Sequence, residues 1–164
     1  MADERCLPCQ MESADEDQVV FRDDLWACEV VPGFDVPGWF VLRVRRHALR
    51  ISGLTDPELA TYGRRTRDLV DAVTEITGAP ATYVLTFGEA NPHFHSLIAA
   101  RGDDVPVERR MAAILRQRDD NRDSEAARAL IPPVAAAYAR FAARAPDDRL
   151  AMPAPPSPST SELL

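Results

Sequence analysis

The stretch TDPELATYGRRTRDLVDAVTEITG, residues 55–78, constrains this chain more than any other. Thr55 and Glu58 have the spacing of a capping box, and Gly78 supplies the stop, so the segment predicts one long helix. Leu59, Tyr62, Leu69, Val70, Val73 and Ile76 recur every three or four residues, which gives the helix one apolar face and places Arg64, Arg65 and Asp68 toward water. Such a face needs a surface to cover. The flanking sequence offers short β-rich runs, VVFRDD, LWACEVV and WFVLRVRR before the helix, then TYVLTFGEA and HFHSLIAAR after it, separated by turn formers such as PGFDVPG and EANP. The expected fold is α+β, an antiparallel sheet of about five strands with the long helix packed on it. VPVERRMAAILRQR and SEAARALIPPVAAAYARFAARA predict additional C-terminal helices, the second starting or kinking at Pro132-Pro133. With 164 residues, 46% hydrophobic, the chain reads as a single domain over 1–145. A Pro/Ser-rich tail, expected to be disordered, follows over 146–164.

Charge narrows the function. The formal net charge is −7, which argues against a nucleic-acid binder or a protein of anionic membranes. All 19 basic residues are arginine, so lysine nucleophiles and Schiff bases are excluded, while bidentate recognition of carboxylate or phosphate stays open. No apolar h-region follows a basic start and no apolar run has membrane length. A cytoplasmic protein with a small-molecule substrate is the expectation.

Residues 1–15 are polar and acidic except for the pair Cys6 and Cys9, and need something to pin them. A Cys-x-x-Cys pair in a reducing compartment is more often a metal or redox site than a disulfide. The soft ligands in the chain are Cys6, Cys9, His47, His93 and His95; two thiolates and two imidazoles make a closed tetrahedral zinc site. Spacing alone leaves zinc and a redox pair open. His93 and His95, in NPHFHSL, are two residues apart and on a strand would share a face. Cys28, in an apolar run, reads as buried filler.

The series CLPC, PGWFVLRVRRH, the capped helix after LTDPE, and GEANPHFHSLIAAR resembles the histidine-triad family of nucleotide hydrolases and transferases, over roughly residues 6 to 101. The resemblance implies the histidine-triad fold, a homodimer, and zinc held by Cys6, Cys9, His47 and His93. It places His95 as the nucleophile that attacks phosphorus and carries a covalent nucleotidyl group. A neutral imidazole in one tautomer needs a partner on its other nitrogen, commonly a backbone carbonyl.

The chain also departs from the family pattern. Leu97 replaces the third histidine, Glu89 the glutamine of the Gly-Gln segment, and Val31 the acidic residue that binds ribose, with Glu29 two positions away. Glu89 is a candidate general acid or base, of equal strand parity with His95. Arg43, Arg45, Arg46, Arg50 and Arg101 are candidates to rebuild an anion site; Arg101 follows the active strand, and Arg45 leads into His47. Trp26 and Trp39 read as core or interface aromatics, with Trp39 also a candidate to line a ligand pocket. Three functions follow: a divergent zinc-containing enzyme acting on a nucleotidyl phosphoanhydride, phosphoramidate or phosphoester bond; an enzyme of the same fold recruited to a non-nucleotide substrate of specialised metabolism through zinc, His95 and Glu89; and a zinc-stabilised binding protein without catalysis.

Overall fold

The computed structural model describes residues 6–144, so the expected 146–164 tail lies outside the described residues. Five strands, β1 (Val19–Arg22), β2 (Trp26–Glu29), β3 (Trp39–Val44), β4 (Ala81–Leu85) and β5 (His95–Arg101), form one sheet in the order β1-β2-β3-β5-β4. Every neighbouring pair is antiparallel. The sheet meets the expectation drawn from the sequence, with shorter strands. β4 stops at Leu85, and Thr86 to Phe94 form the loop between the paired strands β4 and β5.

Strand β3 is buried along its whole length, because both faces of the sheet are covered. Phe40, Leu42 and Val44 point with Trp26, Cys28 and Ile98 into a core closed by Leu69 and Val73 of α2 (Asp56–Thr77) and by Val134 and Phe141 of α5 (Ile131–Ala142). Trp39 and Val41 point the other way, with Leu97 and Ala99, and meet Met11, Val36 and Ile114. The period of two along a strand produces this division.

At the start of α2 the Thr55 N–H donates to Glu58 Oε2 at 2.7 Å, and at its end Gly78 adopts φ +64, which lets its N–H reach the Thr74 carbonyl. The charged flank of α2 differs from expectation. Asp68 is 1% exposed and pairs with Arg64 and Arg67. Arg65 bonds the Tyr138 hydroxyl of α5. The reason is α5, which lies over this flank and on β1, where Tyr138 stacks on Phe21 at 4.3 Å between centroids.

C-terminal to the sheet, the run expected as one helix is instead two 3-10 segments, Val107–Arg109 and Met111–Arg116, ending in the single turn α3 (Gln117–Asp120). The second run divides into α4 (Ser124–Ala129) and α5 at Leu130, with the two prolines in the first turn of α5, where their missing N–H groups cost nothing. Among the described residues no helix is long and apolar enough to cross a membrane.

Leu69 is fully buried between helix and sheet. Leu69→Ala is expected to lower the unfolding free energy by about 2 to 5 kcal/mol, the range for emptying a packed leucine site, measured as a lower urea midpoint with an unchanged slope.

Candidate metal centre and active-site pocket

The N-terminal segment carries its cysteines on a short helix, α1 (Leu7–Gln10), with Cys6 at the N-cap and Pro8 in the first turn. Cys6 Sγ and Cys9 Sγ each lie 3.4 Å from His93 Nδ1, and Cys9 Sγ lies 3.2 Å from His47 Nδ1. All four ligand atoms fall within 4.8 Å of one another. A tetrahedral zinc with two sulfur and two nitrogen ligands has sulfur-to-nitrogen edges of about 3.5 Å, so the quartet fits that ion in donor type and size. The His93 tautomer agrees: Nε2 is 2.6 Å from the Val44 carbonyl and donates to it, which leaves the Nδ1 lone pair toward the thiols. Burial pushes the His93 pKa down to about 4, although the Val44 carbonyl pulls upward. The ring is therefore neutral at pH 7, as a metal ligand must be. Four protein ligands close the coordination sphere, and zinc held there would supply cross-linking of α1 to the sheet.

His93 stands just outside the ladder, because β5 begins at His95. The Val44 N–H reaches the Phe94 carbonyl at 3.3 Å, while the Val44 carbonyl takes the His93 side chain. His93 thus supplies from its ring a bond that the strand backbone would otherwise make.

The His93 main chain also holds His95. His95 Nδ1 is 2.6 Å from the His93 carbonyl and donates to it, so Nε2 carries the lone pair. Among the described residues Nε2 has no protein partner. Half-buried, His95 lines a cavity of about 370 Å³ on the sheet face opposite α2. Its walls are Leu7 and Met11 from the N-terminal segment, Val31, Phe34, Val41 and Leu97 from the sheet side, and Leu115. Glu89, exposed, lies on its rim with Asn91, Arg116 and Arg118.

Beneath the cavity is a charge cluster whose geometry the sequence did not disclose. Arg43, paired with His95 across β3 and β5, is 0% exposed. Its Nε and Nη2 donate to Glu29 Oε2 and Oε1 at 2.9 and 2.8 Å, and its Nη1 donates to Glu12 at 2.9 Å. Arg45 grips the same Glu12 and donates to the Asp23 carbonyl. Burial pushes the Glu12 carboxyl up, but the bonds and charges of Arg45 and Arg43 outweigh it and hold the pKa at about 2. Glu29 is fully consumed by Arg43 and Arg22 and is unavailable to a ribose; Val31 stands in the wall instead. Strand register makes the pair: Glu29 lies opposite Val41 and Arg43 opposite Ala27, so the opposite charges are diagonal neighbours on one face.

The other expected residues are placed elsewhere. Arg46 bonds Glu58 and ties β3 to the start of α2. Arg45 is committed to Glu12. Arg101 closes β5, six residues or about 20 Å of strand from His95, and contacts the Gly102 carbonyl. Trp39, 1% exposed, packs beside Ala99 and borders a different hollow with Val36 and Ile76. Cys28 is fully buried, and burial raises its thiol pKa well above the ordinary value, so it is packing and no nucleophile.

The sequence matches no family model and no curated protein. Its structure does have neighbours. A Hit-like protein involved in cell-cycle regulation from Bartonella henselae superposes with a TM-score of 0.63 at 15% identity, covering 84% of this chain and 99% of that one. The chain has the histidine-triad fold. A zinc-bound histidine triad family protein from Mycobacterium smegmatis superposes at 0.61 and 13% identity, covering 84% and 95%. A uridylyltransferase of the same fold superposes at 0.59 and 18% identity, covering 82% of this chain and 45% of that one. In this histidine-triad fold the third position of the motif is Leu97, buried in the cavity wall.

Two tests follow. Purified protein is expected to hold one zinc ion per chain by native mass spectrometry, and Cys6→Ser, Cys9→Ser, His47→Ala and His93→Ala each to lose it. Retention of zinc in all four would refute the site. Arg43→Ala leaves the buried Glu29 carboxylate with Arg22 alone and is expected to cost about 3 to 5 kcal/mol in denaturant unfolding, whereas the pair Arg43→Met with Glu29→Leu recovers most of that loss.

Proposed function

We propose that this protein is a nucleotidyl hydrolase or transferase that works through a covalent intermediate on His95. One observation carries the reading: the His93 carbonyl fixes the His95 proton on Nδ1 at 2.6 Å, so the basic Nε2 is the nitrogen left for a substrate in the cavity.

The chemistry divides into two displacements at phosphorus. His95 Nε2 bonds to phosphorus as the bond to the leaving oxygen or nitrogen breaks, and Glu89 on the rim gives that leaving atom its proton. Water or another acceptor then bonds to phosphorus, the bond to Nε2 breaks, and the acceptor's proton returns to Glu89. The positive charge that His95 takes up in the intermediate is shared with the His93 carbonyl through Nδ1–H. Zinc bound by Cys6, Cys9, His47 and His93 would tie α1 to His93 and so keep the His93 carbonyl in place. That the fold is shared with a uridylyltransferase is consistent with this division of labour.

A second reading has its own support. The cavity wall is Val31, Phe34, Val41 and Leu97, and the nearest buried carboxylate, Glu29, is locked to Arg43. Such a wall favours an apolar body over a ribose diol, so a non-nucleotide phosphate or acyl compound is the alternative substrate.

Intact mass after brief exposure to adenosine 5′-phosphoramidate and to its guanosine counterpart tests both. The expected result is a transient nucleotidyl adduct on wild-type protein and none on His95→Ala, which keeps its zinc and its fold. Turnover that survives His95→Ala would overturn the nucleophile; wild-type protein without adduct or turnover would favour the second reading.

A further inference from the structure

Two cavities meet at His95. The second, about 340 Å³, is lined by Leu49, Arg50, Ile51, Thr86 and Pro92 among others. The residues common to both linings are Phe87, Gly88 and His95. Gly88, at φ +79 with no atom within 4 Å of a built Cβ, lets the chain turn between the two spaces with no side chain to fill either.

A histidine that passes a group between two partners needs two compartments. One keeps the body of the transferred group throughout. The other is vacated by the leaving group and entered by the acceptor, because each in-line attack comes from the side opposite the bond that breaks. The walls of the second cavity are unlike a site for water. Leu49, Ile51 and Phe87 are exposed by 50%, 51% and 60%, and they gather around this one opening. The lining contains no carboxylate, while Arg50 stands on it. The segment is also built in advance: the Phe94 N–H reaches the Ala48 carbonyl at 2.6 Å, and the Gly53 and Leu54 N–H groups reach Arg50 and Ile51 carbonyls at 2.9 and 3.1 Å. Fixed apolar surface beside a reactive nitrogen favours a bound organic acceptor over solvent.

We infer that this second cavity is an acceptor site for an apolar-bodied hydroxyl compound, which makes group transfer the reaction in place of hydrolysis. The inference rests on the covalent role of His95 proposed above. In the transfer step the acceptor oxygen bonds to phosphorus, the electron pair of the phosphorus–nitrogen bond returns to Nε2, and the hydroxyl proton passes to Glu89, which follows the shared Gly88 on the rim of the first cavity and gave its own proton to the leaving group.

The probe is 2-phenylethanol, titrated first into protein with labelled Leu and Ile methyl groups and then added to reactions with adenosine 5′-phosphoramidate. The expected results are saturable methyl shifts at Leu49 and Ile51, and a phenylethyl ester of AMP formed beside free AMP. Ile51→Asp is expected to remove the shifts and to lower the ester-to-AMP ratio about tenfold, the equivalent of one good apolar contact. No shift at saturating probe, or AMP alone from protein that does form the adduct, would overturn the site. Methyl shifts that follow protein dilution without probe would assign the surface to a second copy and overturn it too. Absence of any nucleotidyl adduct would instead fell the proposal for His95, since the methyl titration is read without nucleotide.

Discussion

Three bonds at one residue organise this protein. His93 offers Nδ1 to the two cysteine sulfurs, gives its Nε2 proton to the Val44 carbonyl, and accepts the His95 proton on its own carbonyl. The four candidate metal ligands, the central strand and His95 are thereby joined through a single side chain and its peptide bond. A fully buried imidazole with both ring nitrogens satisfied is stable where an unpaired one would cost several kcal/mol. Its neutrality is also what a metal held together with Cys6 and Cys9 would require. Displacement of His93 would therefore be felt at all three places, and the same is not true of any other member of the site.

Around that residue the protein uses charge in two different ways. Glu29 and Arg43 are sealed in the interior and neutralise each other with two parallel bonds, an arrangement that is strong in geometry yet costly in lost hydration. Glu12 is on the border, and by taking both Arg43 and Arg45 it fastens the N-terminal segment to the end of β3 and the residue after it. Leu7 and Met11, which lie between these two fastenings in sequence, become a wall of the cavity. The segment has too little apolar content to fold by itself, so its position depends on the metal ligands and on this carboxylate.

Much of the fold was legible because its signals are local. The capped start and glycine stop of α2 are written in consecutive residues, and the strands carry their alternation openly. The four ligands were singled out through a family resemblance, and the chain does bring them within 4.8 Å. What escaped the sequence depends on partners far apart in the chain. Asp68 and Arg65 look like water-facing helix residues until α5 covers them. Arg43 looks like one of several surface arginines until the register with β2 sets it diagonal to Glu29. Residues 105–118 have helical composition, yet Met111 takes φ +53 at the start of the second 3-10 segment, a conformation that a helical periodicity argument cannot foresee.

The acceptor that orients His95 is a peptide carbonyl. A side-chain acceptor can be deleted by a single base change, whereas a peptide group persists under every substitution that preserves the path of the chain. The orientation of the His95 ring is thus inherited from the fold and is insulated from substitution of the residues around it. Leu97 and Glu89, departures from the family pattern, leave the bond from His95 to that carbonyl untouched, because neither takes part in it. Substitutions in the lining of the pocket that keep this chain path leave the His95 ring held in the same way.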